Sequence, residues 1–406
     1  MAHFSRRHFL KHSAVGSAVL TFGGLAPSAL QAAAQQSQSE RILVVVELAG
    51  GNDGLNTVIP FGDETYRRLR PKLAIAKSDV LEIGDGLGFH PSMRGFADLL
   101  EAGRLAIVQG VGYPDPNRSH FESMDIWHSC QRKEDTRTDG WLGRLLEETD
   151  TASGGDPSAL HLGYDKQPFA LMSRKVRVPS IRSLEQFRLQ GTEDAEFKKA
   201  VHELADTRRE QGNDLLNFVQ SSTSSAISAS ERLTQSTTSY KSNMTYPKSQ
   251  LGEQLQTVAR LISSGLKTSV YYVQLNGFDT HSQQPDAHQG LLRQLSDSVK
   301  AFLDDIDEMQ LSDRVAVMSF SEFGRRVEEN ASEGTDHGTA GPMFIAGAGV
   351  KSGLIGKHPA LSSLQEGDLK HHTDFRQVYA AAIQNWFRCD ADTILKGSFK
   401  PVDVFA

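Results

Sequence analysis

Apolar positions along this chain follow two rhythms. Short unbroken runs rich in β-branched residues recur, and longer segments between them carry apolar residues three and four apart. The runs fall at 41–48, 104–110, 268–275 and 315–320, with a further one at 342–346. Continuous rather than alternating apolar sequence predicts strands covered on both faces, as in a parallel sheet. Helices are predicted at 92–101, 121–130, 141–148, 193–220, 253–266, 289–310 and 374–386, the last capped by Thr373. Two brief strands are expected at 159–163 and 169–173, and the rest of 62–103 reads as irregular. Residues 221–249, rich in Ser, Thr and Gln, read as a peripheral excursion or a lid. Strand then helix, repeated from 41 to 387, predicts a three-layer α/β/α sandwich with a largely parallel sheet.

The first residues add a compartment. Ser5-Arg6-Arg7-His8-Phe9-Leu10-Lys11 has the form of a twin-arginine export motif, a modestly apolar run follows from Ala14 to Leu30, and Ala32-Ala33-Ala34 supplies a cleavage pattern. Gly23, Gly24 and Pro27 make the run a poor membrane span. Residues 1–34 are therefore expected to be a signal peptide, 35–40 a polar tether, and 35–406 a single periplasmic or secreted domain. Cleavage would remove Arg6, Arg7 and Lys11 and no acids, taking the net charge from −7 to −10. So acidic a chain points away from nucleic acid as a partner. The partners expected are the twin-arginine translocation machinery, a small anionic ester or glycan, and an exported protein. Cys130 and Cys389 stand alone, giving no disulfide framework; they could pair, or be two isolated thiols.

Chemistry-bearing residues gather where strands end. The first run leads into Ala49-Gly50-Gly51-Asn52-Asp53-Gly54, which puts Asp53 at a carboxyl edge, although Asn-Asp-Gly is also ordinary turn chemistry. The 268–275 run ends at Asn276-Gly277-Phe278-Asp279-Thr280-His281. The 315–320 run delivers Glu322 and Arg325, and Asp336 and His337 precede the last strand. Ligands of open α/β sheets sit beyond such edges. Ser119 opens the predicted helix at 121–130. It either caps that helix, with Glu122 completing a capping box, or sits where helix-terminal N–H groups could activate a nucleophile. His288 is expected near a helix start in a solvated role.

In that order, GGNDGLN, NRSHF, NGFDTH, SEFGR and DHGTAGPMFIAG resemble the domain of unknown function 1501 family, bacterial proteins exported by the twin-arginine route. The resemblance covers essentially the whole mature chain. It implies an alkaline-phosphatase-like α/β/α fold, in a superfamily whose sites hold one or two divalent metals and a Ser, Thr or formylglycine nucleophile. Carried over by position, it implies Asp53, Asp279, His281, Glu322, Asp336 and His337 as metal-site residues and Ser119 as nucleophile. Arg325 or Arg118 would neutralise the anion. Phe323 stands where the resemblance leads one to expect an imidazole, and Ser119-His120 is not the sulfatase motif. The ligand set suits Zn, Mn, Mg or Ca. The function implied is metal-dependent hydrolysis of phosphate or sulfate esters; the alternative is a non-catalytic exported binding or assembly protein that keeps the fold.

Overall fold

The structure is a computed structural model, and it describes residues 41–149, 156–163, 166–182 and 240–406. The expected signal peptide and tether, the helix at 193–220 and the 221–239 part of the Ser/Thr-rich segment lie outside the described residues.

The first of the apolar runs becomes β1 (Ile42–Ala49), buried along seven of its eight residues. Successive side chains face opposite sides of a strand, so Ile42, Val44, Val46 and Leu48 enter one core while Leu43 and Val45 enter another. After β1 come β2 (Val58–Ile59), α1 (Glu64–Leu69), β3 (Leu81–Gly84) and β4 (Leu87–Phe89). The three strands form a small sheet of their own in the order β2-β4-β3, in a region that sequence pattern left irregular. Two- to four-residue strands carry too little periodicity to be seen. Then follow α2 (Arg94–Glu101), β5 (Leu105–Gly112), α3 (His120–Ser129), α4 (Trp141–Thr149), β6 (Ala159–Leu162) and β7 (Ser180–Ile181). After them come α5 (Gln250–Ser263), β8 (Val270–Asn276), α6 (Gln284–Glu308), β9 (Val315–Phe320), β10 (Gly341–Ala346), β11 (Gly353–Ile355), β12 (Thr373–Asp374), α7 (Phe375–Ala380) and α8 (Ala391–Leu395).

Among the described residues, the main sheet has nine strands in the order β11-β5-β10-β9-β1-β8-β6-β7, with β12 beside β5. β1 lies at its centre, parallel to both β8 and β9. β10 alone runs against its neighbours β5 and β9. Helices α2, α5 and α6 cover one face through Phe96, Leu255 and Phe302; α3, α4, α7 and α8 cover the other through Trp127, Trp141, Tyr379 and Ile394. This is the expected three-layer sandwich with a mostly parallel sheet.

Some elements differ from the sequence reading. Residues 169–173 form a tight turn, not a strand. Leu171 N–H returns to the Pro168 carbonyl (3.1 Å), and the Met172 carbonyl accepts from Gly140 N–H (2.9 Å), which folds the segment over the start of α4. The last helix is capped by Asp374, not Thr373: Asp374 accepts from Arg376 N–H and forms a capping box with Gln377. It loosens into wider i→i+5 bonding across Ala381–Trp386. α6 starts at Gln284, five residues earlier than expected, with Pro285 in its first turn. His288 is therefore buried in that helix, not solvated, and donates from Nε2 to Asn52 Oδ1 (3.0 Å). Cys130 and Cys389 are free thiols, and burial pushes Cys130 up to about 12.

Candidate metal centre

Because β1, β8 and β9 are parallel, the turns that follow them meet at one edge of the sheet. The reversed direction of β10 brings its beginning to the same edge, so Asp336 and His337, which precede it, arrive beside Asp279 and Glu322. Gly50, at φ +119°, makes the sharp exit from β1; a Cβ there would lie 2.4 Å from the Asp279 amide nitrogen. Only glycine allows that backbone approach.

Three imidazoles converge on one carboxylate at this edge. Asp279 Oδ1 is 3.1 Å from His281 Nε2, 3.2 Å from His337 Nε2 and 3.4 Å from His120 Nε2. Among the described residues, His120, Asp279 and His337 form the one group of three whose ligand atoms all lie within 4.8 Å of one another, and His281 Nε2 is 2.8 Å from His337 Nε2. Each ring is held by its other nitrogen. His337 Nδ1 donates to the Arg118 carbonyl (2.7 Å), His120 Nδ1 meets Glu322 Oε1 (2.8 Å), and His281 Nδ1 meets Asp336 Oδ1 (3.1 Å). With each Nδ1 facing an acceptor, the three Nε2 atoms are the ones turned toward Asp279 Oδ1. Among them, His120 Nε2 is buried and has no hydrogen-bond partner. Four acceptors facing one another are stabilised by a cation between them, and Nδ1 held by a carboxylate or carbonyl is how metal-ligating histidines are oriented.

Below this cluster lies Arg325, whose guanidinium is buried. It donates to the carbonyls of Gly50, Gly51 (2.7 Å), Phe278 (2.9 Å) and Thr335 (2.8 Å), and to Asp279 Oδ1 (2.7 Å). Partial burial would raise the Asp279 pKa, but the bond from Arg325, with His337 and the nearby charges, holds it at about 2. The Glu322 hydrogen bond raises the His120 pKa against the effect of burial. Asp336 is lowered by hydrogen bonds from Asn330 and His281. Phe323 packs its ring against both His120 and His337, with centroids 4.9 Å apart in each case. The residue found in place of the expected imidazole thus walls the cluster, and the third imidazole comes from His120 instead.

Other expected site residues are placed differently. Asp53 is 1% exposed and turns to buried Arg70, with Nη1 2.6 Å from its Oδ2. Burial would raise its pKa, but Arg70 brings it below the usual carboxylate range. Ser119 occupies the N-cap position of α3, where it is exposed and makes no side-chain cap bond. The expected capping box is not formed, because Glu122 pairs with Arg137 (2.5 Å). Arg118 pairs with Asp368 (2.5 Å). Sequence reading missed His120 as a site residue. The available signal was its position at a loop-to-helix junction after a central strand.

The fold is a three-layer α/β/α sandwich with a mostly parallel sheet, and its candidate site lies at one edge of that sheet. The chain belongs to the family described as protein of unknown function (DUF1501), whose model matches residues 40–396. No curated protein sequence matches it. Among solved structures it is similar to the PsFucS1 sulfatase from Pseudoalteromonas sp., at 10% identity over 91% of this chain and 72% of that one, with a TM-score of 0.41. It is also similar to Ps i-CgsB in complex with k-i-k-neocarrahexaose (10% identity, 88% and 74% coverage, TM-score 0.40). A third is the C-terminal periplasmic domain of EcEptC from Escherichia coli in complex with Zn (8% identity, 77% and 74% coverage, TM-score 0.37). These are distant likenesses of fold.

Proposed function

We propose that this chain is an exported, zinc-dependent hydrolase of phosphate or sulfate esters. The observation that carries the reading is the convergence of three imidazole Nε2 atoms on Asp279, each ring fixed through Nδ1. Of Zn, Mn, Mg and Ca, three imidazoles and one carboxylate suit zinc best, because the harder ions favour oxygen donors. His120, Asp279, His281 and His337 would hold the ion. Bound there, it would supply Lewis-acid polarisation of an ester oxygen and favour the deprotonated nucleophile.

The protein's own groups do the rest. Arg325 orients Asp279, Glu322 orients His120, Asp336 orients His281, and the Arg118 carbonyl orients His337. Arg325 is thus a positioning residue here, its guanidinium taken up by carbonyls and Asp279 instead of open to an anion. Ser119 Oγ, exposed beside His120 in sequence, is the hydroxyl that would attack phosphorus or sulfur as the ester bond breaks, with water later releasing the acid. The choice of ester rests on the motif resemblance and export on the twin-arginine motif at Ser5–Lys11, which fractionation of cells expressing the full chain would test.

The deciding experiment offers the zinc-loaded mature protein a panel of chromogenic phosphate monoesters, diesters and sulfate esters, alongside Ser119→Ala. Turnover by the native protein, lost in a variant that keeps its zinc, is the expected result. Full turnover by Ser119→Ala would remove Ser119 from the nucleophile role. A zinc-loaded protein inert to every ester would leave the reading of an exported binding protein.

A further inference from the structure

Asp53 ends the central strand's turn, and the motif resemblance makes it a metal ligand in a site of one or two ions. The geometry points to a different assignment: the Asp53–Arg70 pair occupies the place of a second cation, so the centre holds one metal ion. This inference rests on the zinc reading above and fixes the number of ions.

Asp53 and Arg70 are 1% and 0% exposed. Asp53 Oδ2 accepts from Arg70 Nη1 (2.6 Å) and from Gln284 Nε2 (2.5 Å). Gln284 is locked in that orientation, because its Oε1 accepts the hydroxyls of Thr280 (3.0 Å) and Thr335 (2.6 Å). Arg70 is equally fixed. It also donates from Nε to the Val327 carbonyl (2.8 Å), from Nη2 to the Arg326 carbonyl (2.8 Å) and from Nη1 to Asn56 Oδ1 (2.9 Å). Asn56 is itself held by the Tyr66 hydroxyl and the Leu73 carbonyl. A guanidinium anchored on every side cannot withdraw to admit a divalent ion, and its charge repels one.

One oxygen, Asp53 Oδ1, is buried without a hydrogen-bond partner. It is the only Asp53 atom left to a cation. Among the described residues, Asp53 belongs to no group of three His, Cys, Asp or Glu side chains able to converge on an ion. A single oxygen beside a fixed positive charge falls well short of the donor sets that hold divalent metals. The buried pair supplies inside the protein the positive charge that Asp53 requires.

Calorimetric titration of the chelator-stripped mature protein with zinc chloride, checked by elemental analysis after desalting, tests the inference. The expected stoichiometry is one zinc per chain in the native protein. The double variant Asp53→Asn/Arg70→Met, which removes both charges together, should still bind one, with its fold checked by circular dichroism. His337→Ala should lose at least about tenfold in affinity. Two zinc ions per native chain, or loss of the single zinc from a folded double variant, would overturn the one-ion assignment while leaving the metal centre standing. No zinc in the native protein would overturn both.

Discussion

His120 Nδ1 lies 2.8 Å from Glu322 Oε1, while Nε2 of the same ring lies 3.4 Å from Asp279 Oδ1. One imidazole therefore links the turn after β9 to the turn after β8, although His120 itself stands at the start of α3. Glu322 is buried and also accepts from the Gly50 amide (2.9 Å), so its carboxylate fixes both the ring and the exit of the central strand. Glu322→Gln keeps the shape but removes the charge. It should weaken zinc binding by about 10–100-fold. Calorimetric titration reads this directly, and an unchanged Kd would show that the ring is fixed without it.

His120 separates the tertiary reading from the motif reading. His120→Ala should bind zinc as poorly as His337→Ala, whereas Ser119→Ala, one residue away, should bind it normally. Elemental analysis of the three purified variants checks this. Full zinc occupancy in His120→Ala would reduce the centre to Asp279, His281 and His337.

Arg70→Met leaves Asp53 buried without its cation. Breaking a buried pair from one side costs about 3–5 kcal/mol, and urea denaturation should show a loss of that size. Adding Asp53→Asn to the same chain should recover most of it. Equal losses in the single and double variants would show that packing, not the uncompensated charge, sets the cost.

The buried His288 predicts a pH dependence of stability. Burial pushes its pKa down to about 4; nearby Asp53 opposes the shift, and His90, Arg70 and Arg325 reinforce it. In the unfolded chain an imidazole titrates near 6.5. Above that pH neither state binds the proton, and His288 contributes no pH dependence. Between about 6.5 and 4 the unfolded chain takes the proton and the folded one does not, so stability falls, by about 3 kcal/mol in all. His288→Gln should flatten this part of the pH profile of urea unfolding. An unaltered slope would place the proton elsewhere.

Cys130 is buried at the end of α3 with its thiol pushed up to about 12. Thiolates, not thiols, react with alkylating agents. Iodoacetamide at pH 8 should leave Cys130 unmodified in the native protein and label it only after denaturation, as peptide mass mapping would show. Rapid native labelling would mean that this end of α3 opens readily.

The sequence by itself determined the layers and the edge. Apolar runs such as 42–46 and 315–318 have no polar side for water, so they became central strands, and the glycines and acids behind them came to lie at strand ends. The twin-arginine motif and the five ordered family motifs were equally local. The tertiary structure alone decided which residues at that edge face one another. Asp53 and Glu322 sit in similar turns after parallel strands, yet Asp53 turns to Arg70, 17 residues on, and Glu322 to His120, 202 residues back. His120 joined the site because α3 begins at the edge, and His337 because β10 runs backwards. Strand identity depends on neighbours in sequence, through burial and backbone bonding. A convergent centre depends on the placement of several turns at once, through packing contacts that no single stretch of sequence contains.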